Sequence, residues 1–315
     1  MTGNLPELIA KAWAVKANRD QQISFFMPGA KRYSNRFYTN RKQSFVNLSV
    51  TGTACSCNCD HCGGKLLETM ISAPAPEKFR QVVEHLHRHN GEGILVSGGA
   101  NHKGEVPLLP FLEEIKYAKD LGLKVVVHTG LLDRENARGL KKAAIDQVLI
   151  DVIADENTIK SVYHLSLQPQ DYLTSLQIAG EAGLSLAPHV VIGLHYGDIK
   201  GEYKALEMIR QVEPSALVLI VITPQPGTVM ENIKLPDLDK VTDIIARARN
   251  EFPRSPVTLG CARPYGRYKK ELERIAIDCG LDGIAYPDET TFIYAQNKGL
   301  TVNVSELCCS LIGDI

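Results

Sequence analysis

The chain has 315 residues, with 35 Lys and Arg against 36 Asp and Glu and a formal net charge of −1. That balance excludes a strongly basic nucleic-acid binder and gives no pull toward an anionic membrane. A hydrophobic share of 44% supports a sizeable core, and no run of 18 apolar residues is there to span a membrane. The stretch Met1-Thr-Gly-Asn-Leu-Pro-Glu7 has neither the basic nor the apolar region of a secretory leader. The expectation is a cytoplasmic protein with reduced thiols that uses neither nucleic acid nor membrane.

Asn4 is placed to cap a helix, with Pro6 and Glu7 in its first turn and Leu5, Ile9 and Trp13 at i, i+4 spacing, so a helix is expected over 5–19. Segment 23–43 is aromatic and basic and reads as an irregular extension packed on the main domain, or as a lid or docking surface. Eight short apolar, β-branched runs follow: Phe45–Val50, Gly93–Val96, Lys124–Val127, Gln147–Val152, His189–Ile192, Ala216–Ile222, Pro256–Leu259 and Leu281–Ala285. Between them lie helical patterns at Glu77–His89, Leu108–Leu121, Glu135–Ala143, Pro169–Ala182, Glu202–Val212, Leu238–Asn250 and Arg267–Cys279. Buried strands alternating with helices imply a parallel sheet. Eight such units predict an α/β fold of the closed (β/α)8 TIM type over 44–290, with an N-terminal helical extension over 1–43 and a cysteine-bearing tail over 291–315. Chemistry in such barrels gathers at the C-terminal strand ends. Here those ends carry Ser97-Gly98-Gly99, His128-Thr129-Gly130, Asp151 and Asp155, Gly193-Leu194-His195, Gly260-Cys261-Ala-Arg263 and Tyr286.

The most specific feature is T-G-T-A-C-S-C-N-C-D-H-C-G-G at 51–64, in the loop after the first of these runs. Cys55, Cys59 and Cys62 have the spacing C-x-x-x-C-x-x-C, and three thiolates on one loop can hold three irons of a 4Fe–4S cube and leave the fourth open. A zinc site with Cys57 as the fourth ligand would crowd four thiolates into eight residues with no downstream pair. A disulfide framework does not suit a chain of this length and context.

This spacing after a first strand resembles the radical S-adenosylmethionine superfamily. The full count of eight strands resembles biotin synthase. The resemblance implies that the open iron chelates S-adenosylmethionine and that an electron cleaves it to a 5′-deoxyadenosyl radical, with ferredoxin or flavodoxin as the electron donor. It implies roles for residues here: Ser97, Gly98 and Gly99 at the methionine ammonium, Asp151 and Asp155 at the ribose, Ile192, Gly193 and Leu194 along the adenine, and His61 packed on the base. Asp155 equally suits a helix cap. His128 reads as a cofactor contact, a substrate contact or a core histidine, and His189 reads as structural. Cys57 is expected to pack near the cluster.

Cys308 and Cys309 stand together near the C-terminus, and Cys261 sits at a strand exit that a tail crossing the barrel mouth would reach. These three are expected to hold an auxiliary iron–sulfur cluster, with Arg263 or Ser305 as its fourth ligand, while Cys279 on a helix is expected to be buried. Two packed, inert tail cysteines are the plainer reading. An auxiliary cluster in a full barrel resembles the sulfur-inserting enzymes biotin synthase and lipoyl synthase. The pattern T-G-x-x-C-x-x-x-C-x-H-C, S-G-G, H-T-G, G-C-x-R-P and C-C resembles the biotin synthase-like proteins of archaea and anaerobic bacteria. That likeness implies one half of a two-protein lipoyl synthase, with a second radical enzyme as partner and an octanoylated lipoyl-carrier protein as substrate. A radical enzyme for methylation or dehydrogenation and a non-catalytic cluster scaffold are the alternatives.

Overall fold

The computed structural model describes residues 4–314. Eleven strands run in parallel: β1 (Gln22–Phe26), β2 (Phe45–Ser49), β3 (Ile71–Ser72), β4 (Gly93–Ser97), β5 (Lys124–His128), β6 (Gln147–Asp151), β7 (Leu186–Ile192), β8 (Leu217–Val221), β9 (Val257–Leu259), β10 (Gly283–Ala285) and β11 (Thr301–Ser305). All eight expected strands are present, each followed by helical chain that covers the outer face, as in Pro76–Arg88, Arg134–Lys142 and Pro169–Glu181. Burial on both faces explains why β5 reads K-V-V-V-H, with Val125, Val126 and Val127 all inaccessible. Helix starts are fixed locally: Asp133, Asp155 and Asp237 each accept from backbone N–H groups of the following turn. Among the described residues no helix is long and apolar enough to cross a membrane.

The architecture is the expected TIM-type α/β barrel, but the ring is not closed by hydrogen bonds. The ladder runs β11-β1-β10-β9-β8-β7-β6-β5-β4-β2-β3, so β10 meets β1 and β2 meets β3 instead of β10 meeting β2. Segment 28–44 stitches across this seam: Gln43 N donates to Gly29 O at 3.1 Å, and Arg41 N donates to Glu306 Oε1 at 2.7 Å. The sequence assigned β1 to an irregular extension and β11 to the tail. Both pair in register with each other, and β1 pairs with β10 as well. The N-terminal helix (Leu5–Ala17) docks through Asn250 Nδ2, which donates to Leu8 O, and through buried Lys16, which pairs with Asp282 at 3.0 Å.

Side chains facing into the barrel include Phe26, Phe45, Val126, Leu149, Ala187, Val218 and Ala285. The tail packs among them: Cys309, Leu311 and Ile312 are buried in this inner cluster. The final turn, Cys309–Asp314, touches β1, β6, β8, β9 and β10. The tail is therefore the barrel's internal filling rather than a strap across its mouth.

Candidate active site

The cysteine loop is seated by two glycines. A Cβ on Gly99 would lie 2.0 Å from Ala54 O and 2.6 Å from Cys55 Cα, so only glycine lets the loop rest on the end of β4. The N–H of Gly99 is already spent, donating to Thr51 Oγ1 at 2.7 Å. Gly98, with Thr51 3.1 Å from where its Cβ would be, lines the cavity described below. Ser97 Oγ donates to His128 O at 3.1 Å. The far side of the loop is held by Asp60, which accepts from Tyr196 Oη at 2.6 Å and pairs with His164 Nε2 at 2.8 Å.

A cavity of about 130 Å³ opens in front of the loop. Cys55, Cys57 and Cys59 form one wall, and Gly98, His128 and Asp151 form another. The four loop thiols interact: Cys59 holds the sulfur of Cys62 low, Cys55 holds that of Cys57 low, and Cys59 itself is pushed up by its hydrogen bonds and by burial. Cys55 is likewise pushed up by its hydrogen bond with Cys57 and by burial, so of the three expected ligands only Cys62 is held toward the thiolate, the form that binds metal. Cys57 Sγ points toward Asn101 O at 3.3 Å, in line with a packing role. Among the described residues no group of three or more His, Cys, Asp or Glu converges closely enough for a single ion. A cube spreads its ligands over separate iron corners and does not need that convergence. His61 lies tilted against Tyr163, ring centroids 5.1 Å apart, and its buried Nδ1 has no partner. Of the expected cluster ligands Cys55 and Cys59 line the cavity and Cys62 does not, while the His61 nitrogen lies beside Tyr163, which does.

At the strand ends behind the cavity, His128 Nε2 stands 3.4 Å from Asp151 Oδ1. Burial alone would lower the pKa of His128, but the Asp151 charge outweighs it and the pKa is raised. Burial opposes ionisation of Asp151 too, yet His128 holds it down to about 2. The two groups stabilise each other's charged forms. His189 joins them, its ring 5.8 Å from that of His128, with a pKa pushed down to about 4 by burial. The sequence reading took His189 as structural and missed that Asp151 and His189 are register partners across β6 and β7. Their alternation with lumen-facing Leu149 and Ala187 was the available signal.

Other expected contacts fall differently. Asp155 is a helix cap, its Oδ2 accepting from Thr158 N at 2.8 Å and Thr158 Oγ1 at 2.7 Å. Leu194 lines a hollow of only about 20 Å³ with Ile153, Asp155 and His195, whereas Ile192 points into the core and is fully buried. Adenine in this place requires the hollow to widen. Gly193 is held by backbone shape: φ is +78°, and its N–H donates to the buried Glu202 at 2.7 Å. Glu202 also accepts from Lys200 N and Gly201 N, a clamp on the β7 exit that the sequence did not reveal.

The tail thiols and the exposed Cys261 influence one another electrostatically. Cys308 and Cys309 each feel its charge or impose theirs on it, and burial together with all three raises the pKa of Tyr286. Cys309 donates toward Cys308, which holds Cys308 below the ordinary thiol value and Cys309 well above it. Cys308 also acts electrostatically on His128. Cys279 is buried, as expected. Arg263 is not free to act as a ligand. Its guanidinium, a donor only, is buried and bonded to Glu273, Gly260 O, Ala285 O and Tyr286 O. Ser305 Oγ accepts from Leu307 N at 3.2 Å.

Comparison with known proteins points the same way as the cysteine loop. No family model matches the chain. Biotin synthase from Coxiella burnetii is 29% identical over 206 residues, 65% of this chain and 62% of that protein. Biotin synthase from Prochlorococcus marinus is 25% identical over 262 residues, 81% and 77% of the two chains. In sequence the chain is similar to these biotin synthases over most of its length. Its match spans less than two thirds of the length of the Coxiella relative. The crystal structure of methylornithine synthase shares the fold, with a TM-score of 0.64 at 12% identity over 96% of this chain and 90% of that one.

Proposed function

We propose that the chain is a sulfur-inserting radical enzyme in which Cys55, Cys59 and Cys62 hold a 4Fe–4S cube and Cys261, Cys308 and Cys309 hold a second, sulfur-donating cluster. The observation that supports this is that loop thiols share a cavity with His128 and Asp151 while the tail thiol Cys308 acts electrostatically on the same His128. With S-adenosylmethionine bound, the cube supplies a 5′-deoxyadenosyl radical able to take hydrogen from an unactivated carbon. The chain's own residues order that chemistry. Gly99 seats the loop, and His61 offers an unpartnered nitrogen beside Tyr163. The walls formed by Leu131, Ile153 and Leu165 keep the cavity largely apolar. His128, whose protonated form Asp151 favours, lines this cavity and suits the carboxylate of the cofactor.

The substrate reading is octanoyl-lysyl carrier protein, with the chain as one component of a two-protein lipoyl synthase and a low-potential ferredoxin or flavodoxin as reductant. The test is anaerobic reconstitution, iron and sulfide analysis, and turnover with octanoyl-lysyl peptide in the presence of the partner. About eight irons per chain and sulfur gained by the peptide support the reading. Cleavage of S-adenosylmethionine without sulfur transfer points to another radical reaction, and no cleavage at all to a scaffold.

A further inference from the structure

The seam between β1 and β2 holds a cavity of about 590 Å³, separate from the cysteine cavity and larger than it. Its walls include Gly29, Arg32, Thr39, Lys42, Asn47 and Thr69, and no Asp or Glu lines it. The volume lies in the range of small-molecule sites. The wall is built rather than loose. Asn40 ties segment 27–40 together, its Nδ2 donating to Met27 O, Pro28 O and Lys31 O and its Oδ1 accepting from Tyr33 N. Gly29 admits no side chain, because a Cβ there would lie 2.4 Å from Ser44 N.

Charge in this segment is unevenly matched. Arg36 pairs with Glu289, and Arg41 pairs with Glu92 and Glu306. Lys31 sits over the rings of Tyr265 and Tyr286. Among the described residues Arg32 and Lys42 form no ion pair, and both line the cavity. Ala30, and Val46 and Ile71 from β2 and β3, give the same cavity an apolar part. We propose that the seam cavity is a binding site for an anionic small molecule, a carboxylate or phosphate ester with an apolar portion, whose charged end is held by Arg32 and Lys42.

Such a ligand gains charge-assisted hydrogen bonds from the guanidinium and ammonium and lays its apolar part on the strand edge. Segment 28–44, which carries both cations, also binds the root of the tail through Tyr38 and Arg41 to Glu306. Occupancy of the seam therefore bears on the element that positions Cys308 and Cys309.

The test is calorimetric titration of the full-length protein with sodium pyrophosphate and, separately, sodium hexanoate, at an ionic strength fixed with sodium chloride. A single saturable site for at least one probe is expected. R32Q/K42Q should weaken it by about tenfold or more, the effect of losing one hydrogen bond to a charged group. K116Q/R134Q, which removes the same charge from remote surface, should bind as the parent does. Pyrophosphate alone identifies a phosphate ester, and hexanoate alone identifies a carboxylate. Absence of saturable binding with both probes, or equal binding by R32Q/K42Q, overturns the proposal. K42Q alone, on an exposed side chain, serves as the variant should the double substitution fail to fold. None of these readouts depends on a bound cluster, so they stand apart from the catalytic reading.

Discussion

Gly99→Ala tests whether the β4 exit exists to seat the cysteine loop. The added Cβ would meet Ala54 O at 2.0 Å and Cys55 Cα at 2.6 Å, both backbone-bound positions that no rotamer change can clear. Either the loop lifts or β4 does, and β4 is held on both sides by β2 and β5. Overpacking of this kind costs about 1–3 kcal/mol. Loss of the Gly99 N to Thr51 Oγ1 bond adds about 0.5–1.5 kcal/mol. Against a total stability of roughly 5–15 kcal/mol the protein stays folded, with the loop displaced. The neighbouring Gly98→Ala is the internal control. Its Cβ would meet only side-chain atoms of Thr51 and Val50 at 3.1 Å, which can yield by small rotations. The assay is iron per chain after anaerobic reconstitution, read beside the melting temperature. Gly99→Ala should lose most of the loop-bound iron with a modest fall in melting temperature, and Gly98→Ala should keep the iron. Wild-type iron and melting temperature in Gly99→Ala would refute the seating argument.

Alanine at Cys55, Cys59 or Cys62 should abolish formation of 5′-deoxyadenosine, while Cys57→Ala retains it, as measured by chromatography of single-turnover reactions. Asp155→Ala should cost about 1 kcal/mol through loss of the cap, read by urea denaturation. An unchanged denaturation midpoint would contradict the cap. Asp151→Asn removes the main charge that raises the His128 pKa, leaving burial opposed by Cys308 alone, so the pKa should fall from its parent value; NMR titration of the imidazole checks it. In the parent protein the His128 contribution to stability is complete below pH 6.5 and is lost as pH rises through its raised pKa. That of Asp151 is complete above pH 3.8 and is lost as pH falls toward about 2. Leu311→Ala should destabilise by about 2–5 kcal/mol, because Leu311 fills the barrel lumen. A loss below 1 kcal/mol would show that the tail is not part of the core.

Local pattern made the eight central strands legible, since each is a short apolar run between helical stretches and is covered on both faces. It did not reveal β1 or β11. Q-I-S-F-F at 22–26 is followed by a basic, aromatic segment, and T-V-N-V-S at 301–305 is half polar; both are strands because they pair with each other and β1 with β10. That pairing joins residues almost 280 apart, a distance over which no periodicity speaks. Closure failed for the same reason. Eight βα units fit a ring, yet the ring's last seam depends on what residues 28–44 and 306–312 do in space. At the site, the cysteine spacing was readable because three ligands share one loop. The Asp151–His128 couple was not, since it arises from register across neighbouring strands. Arg263 was misread because its acceptors gather from the exits of β9 and β10 and from the helix after β9, a convergence that only the fold creates.

The tail ties the core to the chemistry. Leu311 and Ile312 pack against lumen residues of β1, β5, β6 and β8, and this packing fixes how far along the barrel axis the chain stops. Two and three residues earlier the same chain carries Cys309, buried in the lumen cluster, and Cys308, which acts electrostatically on His128. Glu306, buried, fixes the other end by accepting from Tyr38 Oη at 2.8 Å and Arg41 N at 2.7 Å. The thiol pair is thus held between two anchors that have no chemistry of their own. Truncation after Leu307 is consequently a poor probe of the thiols, because it removes core side chains together with them. Substitution of Cys308 by Ser keeps the anchors and changes only the sulfur. A loss of iron or sulfur transfer in that variant, with the melting temperature unmoved, belongs to the thiol itself.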